Sequence, residues 1–380
     1  MIPLEAHDML AKRIHDEESR QSFVNDFRVH LASKVFPGNF PTYYNRVLPQ
    51  FIKEKGREPE TRHEVRRVMT HDPYYSFWSA MQRNSQEMIW DSVIDSVERQ
   101  LPELIDKSRA AGNKTASKGS LTLDPDLEIP KYHVAADIHL QPGAYHSDQI
   151  DDDVAAGAMY DWGTYIYSMG GLGVGNNALG QITHGFFNNE FPDRTPKRIL
   201  DMGCTIGGSI TYWAQQNPEA ECHAIDVGAP VLRYGHARAE ALGAAVHFSQ
   251  QNAEHTNFED ESFDVVMSHI LLHETSRTAI QNVFNESYRL LKPGGVMMHM
   301  DLPQAHGQPP LEGFLFEWEI YNNNEHFFAQ LRDMDMAELC RKAGFKEENI
   351  HLKSAGSFWM EDQTPYADDG FEFPITIGIK

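Results

Sequence analysis

From Lys197 onward, short apolar runs alternate with segments of helical period. KRILDM, CHAID, AVHFS, FDVVMS and GVMMHMD have strand character, and SITYWAQQ, VLRYGHARAEAL and TAIQNVFNESYRLL lie between them with helix-like spacing. This alternation predicts an α/β fold of parallel strands joined by right-handed crossovers. NIHLKS and FEFPITIGI, on either side of the helix-like MDMAELCRKAG, predict two more strands. Residues 1–110 read instead as helical. Thr61-x-x-Glu64 has the form of a capping box, and Asp72-Pro73 places an N-cap before a proline at the first helical position. Phe77, Met81, Met88, Ile89, Val93 and Val97 then form one apolar stripe, read as core or interface packing. Residues 111–130, rich in Gly, Ser, Lys and Pro, read as a linker. Residues 131–196 hold aromatics, histidines and glycines without a strong period, so an irregular covering segment is expected there.

Charge narrows the function classes. The chain carries 33 basic and 55 acidic side chains for a net −22, a surface that repels a phosphate backbone, so no nucleic-acid partner is expected. Cys204, Cys222 and Cys340 share no metal-ligand spacing and suggest no disulfide framework, which fits a reducing cytoplasm. The N-terminal stretch has no apolar signal core and no run is long enough to span a bilayer, so no membrane partner is expected. The apolar helical stripes make a homodimer a reasonable expectation.

The chemistry concentrates in RILDMGCTIGGS, Arg198 to Ser209. An apolar run ends in Asp201, glycines follow at Gly203, Gly207 and Gly208, and a helix-like segment begins. A strand, a glycine turn and a helix N-terminus let a ligand approach the backbone and offer free N–H groups to an anion. The spacing Gly203-x-x-x-Gly207-Gly208 misses the Gly-x-Gly-x-x-Gly dinucleotide fingerprint.

Four segments in order, RILDMGCTIGGS, HAIDVG, QQNAEHTNFEDESFDVVMSHILLHE and RLLKPGGVMMHMD, resemble the class I S-adenosylmethionine-dependent methyltransferases, especially the ubiquinone and menaquinone C-methyltransferase subgroup. The resemblance covers residues 197–301 well. It implies a Rossmann-like, seven-stranded, mostly parallel sheet with helices on both faces over 197–380, beside an N-terminal helical domain. It also implies S-adenosylmethionine as methyl donor and S-adenosylhomocysteine as product. On the matching positions, Asp201, Gly203, Cys204, Thr205 and Gly207 belong to the cofactor turn, Asp201 helping to hold the methionine moiety. Asp226 and Val227 end the second strand, where a carboxylate accepts the ribose hydroxyls. Asn252 and Ala253 match the adenine turn, where an acid is more usual. Thr205 replaces the family's middle glycine: either it adopts φ > 0 at a cost for a β-branched residue, or it stays at φ < 0 with its hydroxyl facing the cofactor.

The fourth strand runs out at Met267-Ser268 into HisIleLeuLeuHisGlu. Strand ends on this side face the ligand crevice, so His269, His273 and Glu274 are the leading residues for acceptor contact or proton removal. For His269 a cofactor-lining role is the preferred reading. His273 is either a proton acceptor or a helix-start residue that caps or packs, and Glu274 can simply stabilise that helix start. His133, His139 and His146 have no compact metal-ligand spacing, and no metal is expected. The insert 302–330 is aromatic, and Phe314, Trp318 and Tyr321 there, with Tyr160 and Tyr165 upstream, are the expected residues over a small organic acceptor or the cofactor. Methyl transfer to an O, S, N or C nucleophile is the first reading. A non-catalytic cofactor-binding sensor or assembly protein of the same fold is the alternative.

Overall fold

The computed structural model describes residues 4–112, 117–356 and 371–380. Among them, eight strands form one sheet: β1 (Ser120–Thr122), β2 (Arg198–Met202), β3 (Glu221–Asp226), β4 (Val246–Gln250), β5 (Phe263–His269), β6 (Leu291–Met300), β7 (Ile350–Gly356) and β8 (Glu372–Ile379). Their order is β1-β4-β3-β2-β5-β6-β8-β7. Neighbours up to β6 are parallel, and β8 runs antiparallel to both β6 and β7. The seven expected strands are β2 to β8. The eighth, β1, comes from the segment read as a linker: Ser120–Thr122 pairs with His247–Ser249 and extends the sheet edge. Residues 113–116 of that linker lie outside the described residues.

The apolar runs are continuous because both faces of the sheet are covered. Ile199, Cys222, Ala224, Val265, Met267, Val296 and Met298 face one layer, with Phe186, Phe187, Ile210 and Trp213 from the helices Ala178–Glu190 and Gly208–Gln216. Leu200, Met202, Ile225, Val266 and Met297 face the other, with Ile280, Val283 and Phe284 of Arg277–Leu290 and Leu339 and Cys340 of Met336–Ala343. The side-chain period of 2 sends alternate residues of each strand to opposite layers. Each fully buried aliphatic side chain contributes roughly 1.5–3 kcal/mol.

The N-terminal region is helical, and the expected caps form in part. Thr61 accepts from the Glu64 N–H at 3.2 Å, although Glu64 turns to Arg57 and the Glu60 N–H instead of closing the box. Asp72 accepts from the Tyr74 N–H at 2.8 Å and opens a 26-residue helix, Pro73–Glu98. Its buried stripe is Tyr75, Trp78, Ile89, Trp90, Val93 and Val97, whereas Phe77, expected in that stripe, is 55% exposed. Residues 131–196, read as irregular, hold two 13-residue helices, Ala155–Tyr167 and Ala178–Glu190. Ile89, Trp90 and Val93 of the long helix pack with Trp162 and Ile166 of Ala155–Tyr167 and with Val231 and Tyr234 of the core helix Ala229–Ala241. This shared apolar cluster places the N-terminal helices over the C-terminal ends of the strands. No helix among the described residues is long and apolar enough to cross a membrane.

Candidate functional site

The sheet order reverses beside β2, whose neighbours are β3 and β5. At such a switch point the strand ends open a crevice. The turn after β2 is shaped by three residues in the left-handed region: Gly203 at φ +70°, Thr205 at +49° and Gly207 at +71°. Gly203 is required there, since a Cβ would collide with Leu271 as well as strain the backbone. Of the two conformations open to Thr205, the structure takes the costly one, about 1–2 kcal/mol for a non-glycine residue. That conformation directs the Thr205 N–H onto Asp226 Oδ2 at 3.0 Å, while Asp226 Oδ1 accepts from the Gly228 N–H at 2.9 Å. Burial pushes the Asp226 carboxyl above its ordinary value, outweighing the pull of nearby His133 and these backbone donors. Gly203 and Cys204 donate to the Ile225 carbonyl at 2.8 and 3.0 Å, tying the turn to β3. Burial also pushes the Cys204 thiol well up, with Asp226 and Asp201 adding to it.

Asp201 and His269 end adjacent strands and bond each other, Nδ1 to Oδ1 at 3.1 Å. A carboxylate only accepts, so in a neutral ring Nδ1 carries the proton and Nε2 accepts from the Thr183 hydroxyl at 2.9 Å. Both His269 nitrogens are thus engaged, and the ring lines the cavity. Asn252 Oδ1 accepts from the Glu254 N–H at 2.9 Å, fixing the turn after β4 at the crevice rim.

One continuous cavity of about 770 Å³ runs from this turn to the N-terminal helices. Its first arm is lined by Asp201, Gly203, Cys204, Thr205, Asp226, Val227, Asn252, Ala253 and His269, nearly all of the residues expected at the cofactor. Gly207 and Tyr165 are the exceptions: a side chain at Gly207 would meet Phe248, so it serves packing of the turn on β4. The second arm is lined by Tyr145, Tyr160, Tyr167, Trp318, His139, His273, Glu274, Glu319 and Glu325.

Three aromatic expectations are corrected. Tyr165 is buried on the far side of its helix, ring to ring with Trp162 at 6.3 Å, and does not line the cavity. The helical period explains this: Tyr160, Thr164 and Tyr167 share one face and Tyr165 does not. Tyr160 reaches the Thr164 and Thr205 hydroxyls, bridging the two arms. Phe314 packs on Tyr75 at 5.0 Å between ring centres, so it belongs to the support behind the cavity. Tyr321 is 45% exposed with the Arg66 guanidinium over its ring. Trp318 lines the cavity, held by its Nε1–H on Ser79 at 2.8 Å.

The turn after β5 carries the densest chemistry. His273 Nδ1 lies 2.8 Å from Asp301 at the end of β6, and its Nε2 lies 3.3 Å from Glu274 Oε1. His139 Nε2 approaches the same oxygen at 3.0 Å, and its Nδ1 lies 3.0 Å from Glu325. Burial disfavours charge on His139, but Glu325 and Glu274 outweigh it and push the ring up to about 10. His273 is raised in the same way by Asp301 and Glu274. Burial would raise Glu274, yet His273 and His139 hold it well below the usual carboxylate range. Glu319 is pushed up to about 8 by burial and the charge of Glu325. Arg28, buried on the helix His15–His30, reaches the Tyr167 carbonyl at 3.2 Å. His139, Glu319, Glu325 and Asp301 were not singled out from sequence as site residues. For Asp301 a signal existed, since it ends a strand on the crevice side; His139 and Glu325 are joined to the turn only by the tertiary fold.

A family model described as a methyltransferase domain matches residues 199–295. Among curated proteins, the chain is 30% identical over 166 residues to an uncharacterized methyltransferase of Synechocystis, covering 42% of this chain and 72% of that one. It is 30% identical over 129 residues to the demethylmenaquinone methyltransferase of Thermus thermophilus, covering 34% of this chain and 56% of that one. Among solved structures, it is similar to Haemonchus contortus phosphoethanolamine N-methyltransferase 2 in complex with S-adenosyl-L-methionine, at 20% identity and a TM-score of 0.39 over 52% of each chain.

Proposed function

The chain belongs to the S-adenosylmethionine-dependent methyltransferases, and from that premise we propose that it methylates an O, S, N or C nucleophile of a small-molecule acceptor held in the second arm of the cavity. The observation that carries this reading is the single cavity joining the glycine turn to an enclosed chamber of aromatic and ionisable side chains. A chamber of this size and lining suits a metabolite.

The residues present fit the donor. The turn and the end of β3 line the cavity with Gly203, Thr205 and Asp226, and the Asp226 carboxylate keeps acceptor capacity beyond its backbone N–H partners. When bound, the donor supplies an electrophilic methyl group on a sulfonium. Asp226 and Val227 would hold the ribose, Asn252 and Ala253 the adenine, and Asp201 the methionine ammonium, with His269 orienting Asp201. Tyr160 closes the boundary between the arms. On the acceptor side, Glu274 is the ionised group that faces the nucleophile, and His273, enclosed between Asp301 and Glu274, positions it. Such positioning contributes by holding the nucleophile at attack distance, in line with the bond that breaks.

The cytoplasm is the proposed compartment, since Cys204, Cys222 and Cys340 are all free and buried. A homodimer is proposed through the helical region, where Phe23, Tyr44 and Phe77 are exposed. The acceptor class is tested by incubating the protein with methyl-labelled donor and fractionated cell extract. Label in the small-molecule fraction is expected; label confined to protein or nucleic acid contradicts the proposal.

A further inference from the structure

His139, His273 and Glu274 come from distant parts of the chain, yet His139 Nε2, His273 Nε2 and Glu274 Oε1 all lie within 4.8 Å of one another. Both imidazoles approach one and the same carboxylate oxygen, at 3.0 and 3.3 Å. Metal bonds to nitrogen and oxygen of roughly 2.0–2.2 Å place adjacent donors about 3.0–3.5 Å apart, which matches both separations. The other ring nitrogen of each histidine is held by a separate carboxylate, His273 Nδ1 by Asp301 at 2.8 Å and His139 Nδ1 by Glu325 at 3.0 Å. A carboxylate can only accept, so each contact favours a proton on Nδ1, where Asn323 Nδ2 also lies 2.9 Å from the His139 ring, and each Nε2 faces Glu274. With both rings protonated each Nε2–H donates to the Glu274 oxygen, and a cation bound here would displace those two protons and take the same three atoms. Carboxylate-held Nδ1–H groups with Nε2 facing inward are the usual outer support of histidine ligands to metals.

The backbone is built to hold this geometry. His139 sits at φ +53°, followed by Leu140 at +61°. The strained residue is anchored by its carbonyl, which accepts from Trp90 Nε1 at 2.7 Å and Gln86 Nε2 at 3.0 Å. Strain of this kind persists only where the surroundings over-determine it. His139, His273 and Glu274 also line the cavity, so a coordination position would open toward the acceptor.

We propose that His139, His273 and Glu274 bind a divalent first-row transition-metal ion at the acceptor end of the cavity. Two imidazoles and one carboxylate suit Fe²⁺, Mn²⁺, Co²⁺ or Zn²⁺ better than Mg²⁺ or Ca²⁺, which prefer oxygen throughout. This runs against the sequence expectation of no metal, which weighed His139 only with His133 and His146. It stands apart from the methyl-transfer reading, because its readouts need neither donor nor acceptor.

The test uses the full chain without a polyhistidine tag, stripped by chelator and titrated with Co²⁺. One equivalent of cobalt is expected, with visible d–d absorption and displacement by Zn²⁺. Glu274→Gln and His139→Asn should each weaken cobalt binding at least about tenfold, and Asp301→Asn, through His273, by about 10–100-fold. Each variant is checked for a native circular-dichroism spectrum, and His15→Ala, on the fully solvated His15, controls for surface histidines. Failure of the native chain to bind one equivalent of cobalt, loss of that binding in His15→Ala, or equal binding by folded Glu274→Gln, overturns the proposal and leaves two protonated imidazoles as the charges at this point.

Discussion

Asp226→Asn separates binding from folding: a large loss of affinity is expected with little loss of stability. In the proposed complex the Asp226 carboxylate accepts two sugar hydroxyls while still holding the Thr205 and Gly228 N–H groups. Hydrogen bonds to a charged group contribute about 1.5–3 kcal/mol each, and Asn keeps one acceptor oxygen while its amide replaces the other. The expected loss is about 2 kcal/mol, or roughly a 30-fold rise in Kd for S-adenosylmethionine. The apo protein should behave differently. Burial pushes the Asp226 carboxyl above its ordinary 3.8, so the ionised form is disfavoured in the folded state. The stability linked to this group is full below that ordinary value and is lost as pH rises through the folded one. A neutral side chain removes that loss, so the apo Tm of Asp226→Asn at neutral pH should fall by no more than about 2 °C. Isothermal titration calorimetry gives the affinity and calorimetric melting the stability. An unchanged Kd refutes the ribose assignment. A weakened Kd with a collapsed Tm refutes the reasoning about burial.

Gly203→Ala should lower stability by about 2–5 kcal/mol, combining left-handed strain with the clash against Leu271. Adding Leu271→Ala should recover the clash but not the strain, which a double-mutant cycle in denaturant resolves; simple additivity would show that Leu271 is not the neighbour concerned. Asp161 is buried among His7, Tyr234, Arg238 and Asn176, and although burial alone would raise its pKa, Arg238 and His7 hold it well below the ordinary 3.8. Asp161→Ala leaves Arg238 buried without its counter-charge and should cost about 3–5 kcal/mol at pH 7. Because the folded pKa is depressed, this contribution is present above the ordinary value and fades as pH falls below it. The gap in unfolding free energy between native and variant should therefore narrow toward pH 3, and a gap independent of pH would contradict the assignment.

The strands were legible because each is an apolar run covered on both faces, and the glycine turn because its residues are contiguous. β1 was hidden in a Gly- and Ser-rich stretch, where only three residues pair with β4. The helices Ala155–Tyr167 and Ala178–Glu190 escaped because they are buried on several sides and show no amphipathic period. Gly157 lies against Tyr234 and Gly163 against Trp90, so glycines that read as loop signals serve close helix packing. The cofactor arm followed from strand ends. The acceptor arm did not, since His139 and Glu325 reach His273 and Glu274 only through the tertiary fold. Tyr165 falls outside the cavity because the helical phase gives that face to Tyr160, Thr164 and Tyr167.

The central claim is that the turn Gly203–Gly207 and the carboxylate of Asp226 hold the methyl donor. A crystal structure with S-adenosylhomocysteine tests it most directly. The account predicts the product in the first arm of the cavity, its sugar hydroxyls within hydrogen-bonding distance of Asp226 and its sulfur turned toward Tyr160 and Glu274. Density for the product elsewhere, or a sugar that makes no contact with Asp226, would contradict it.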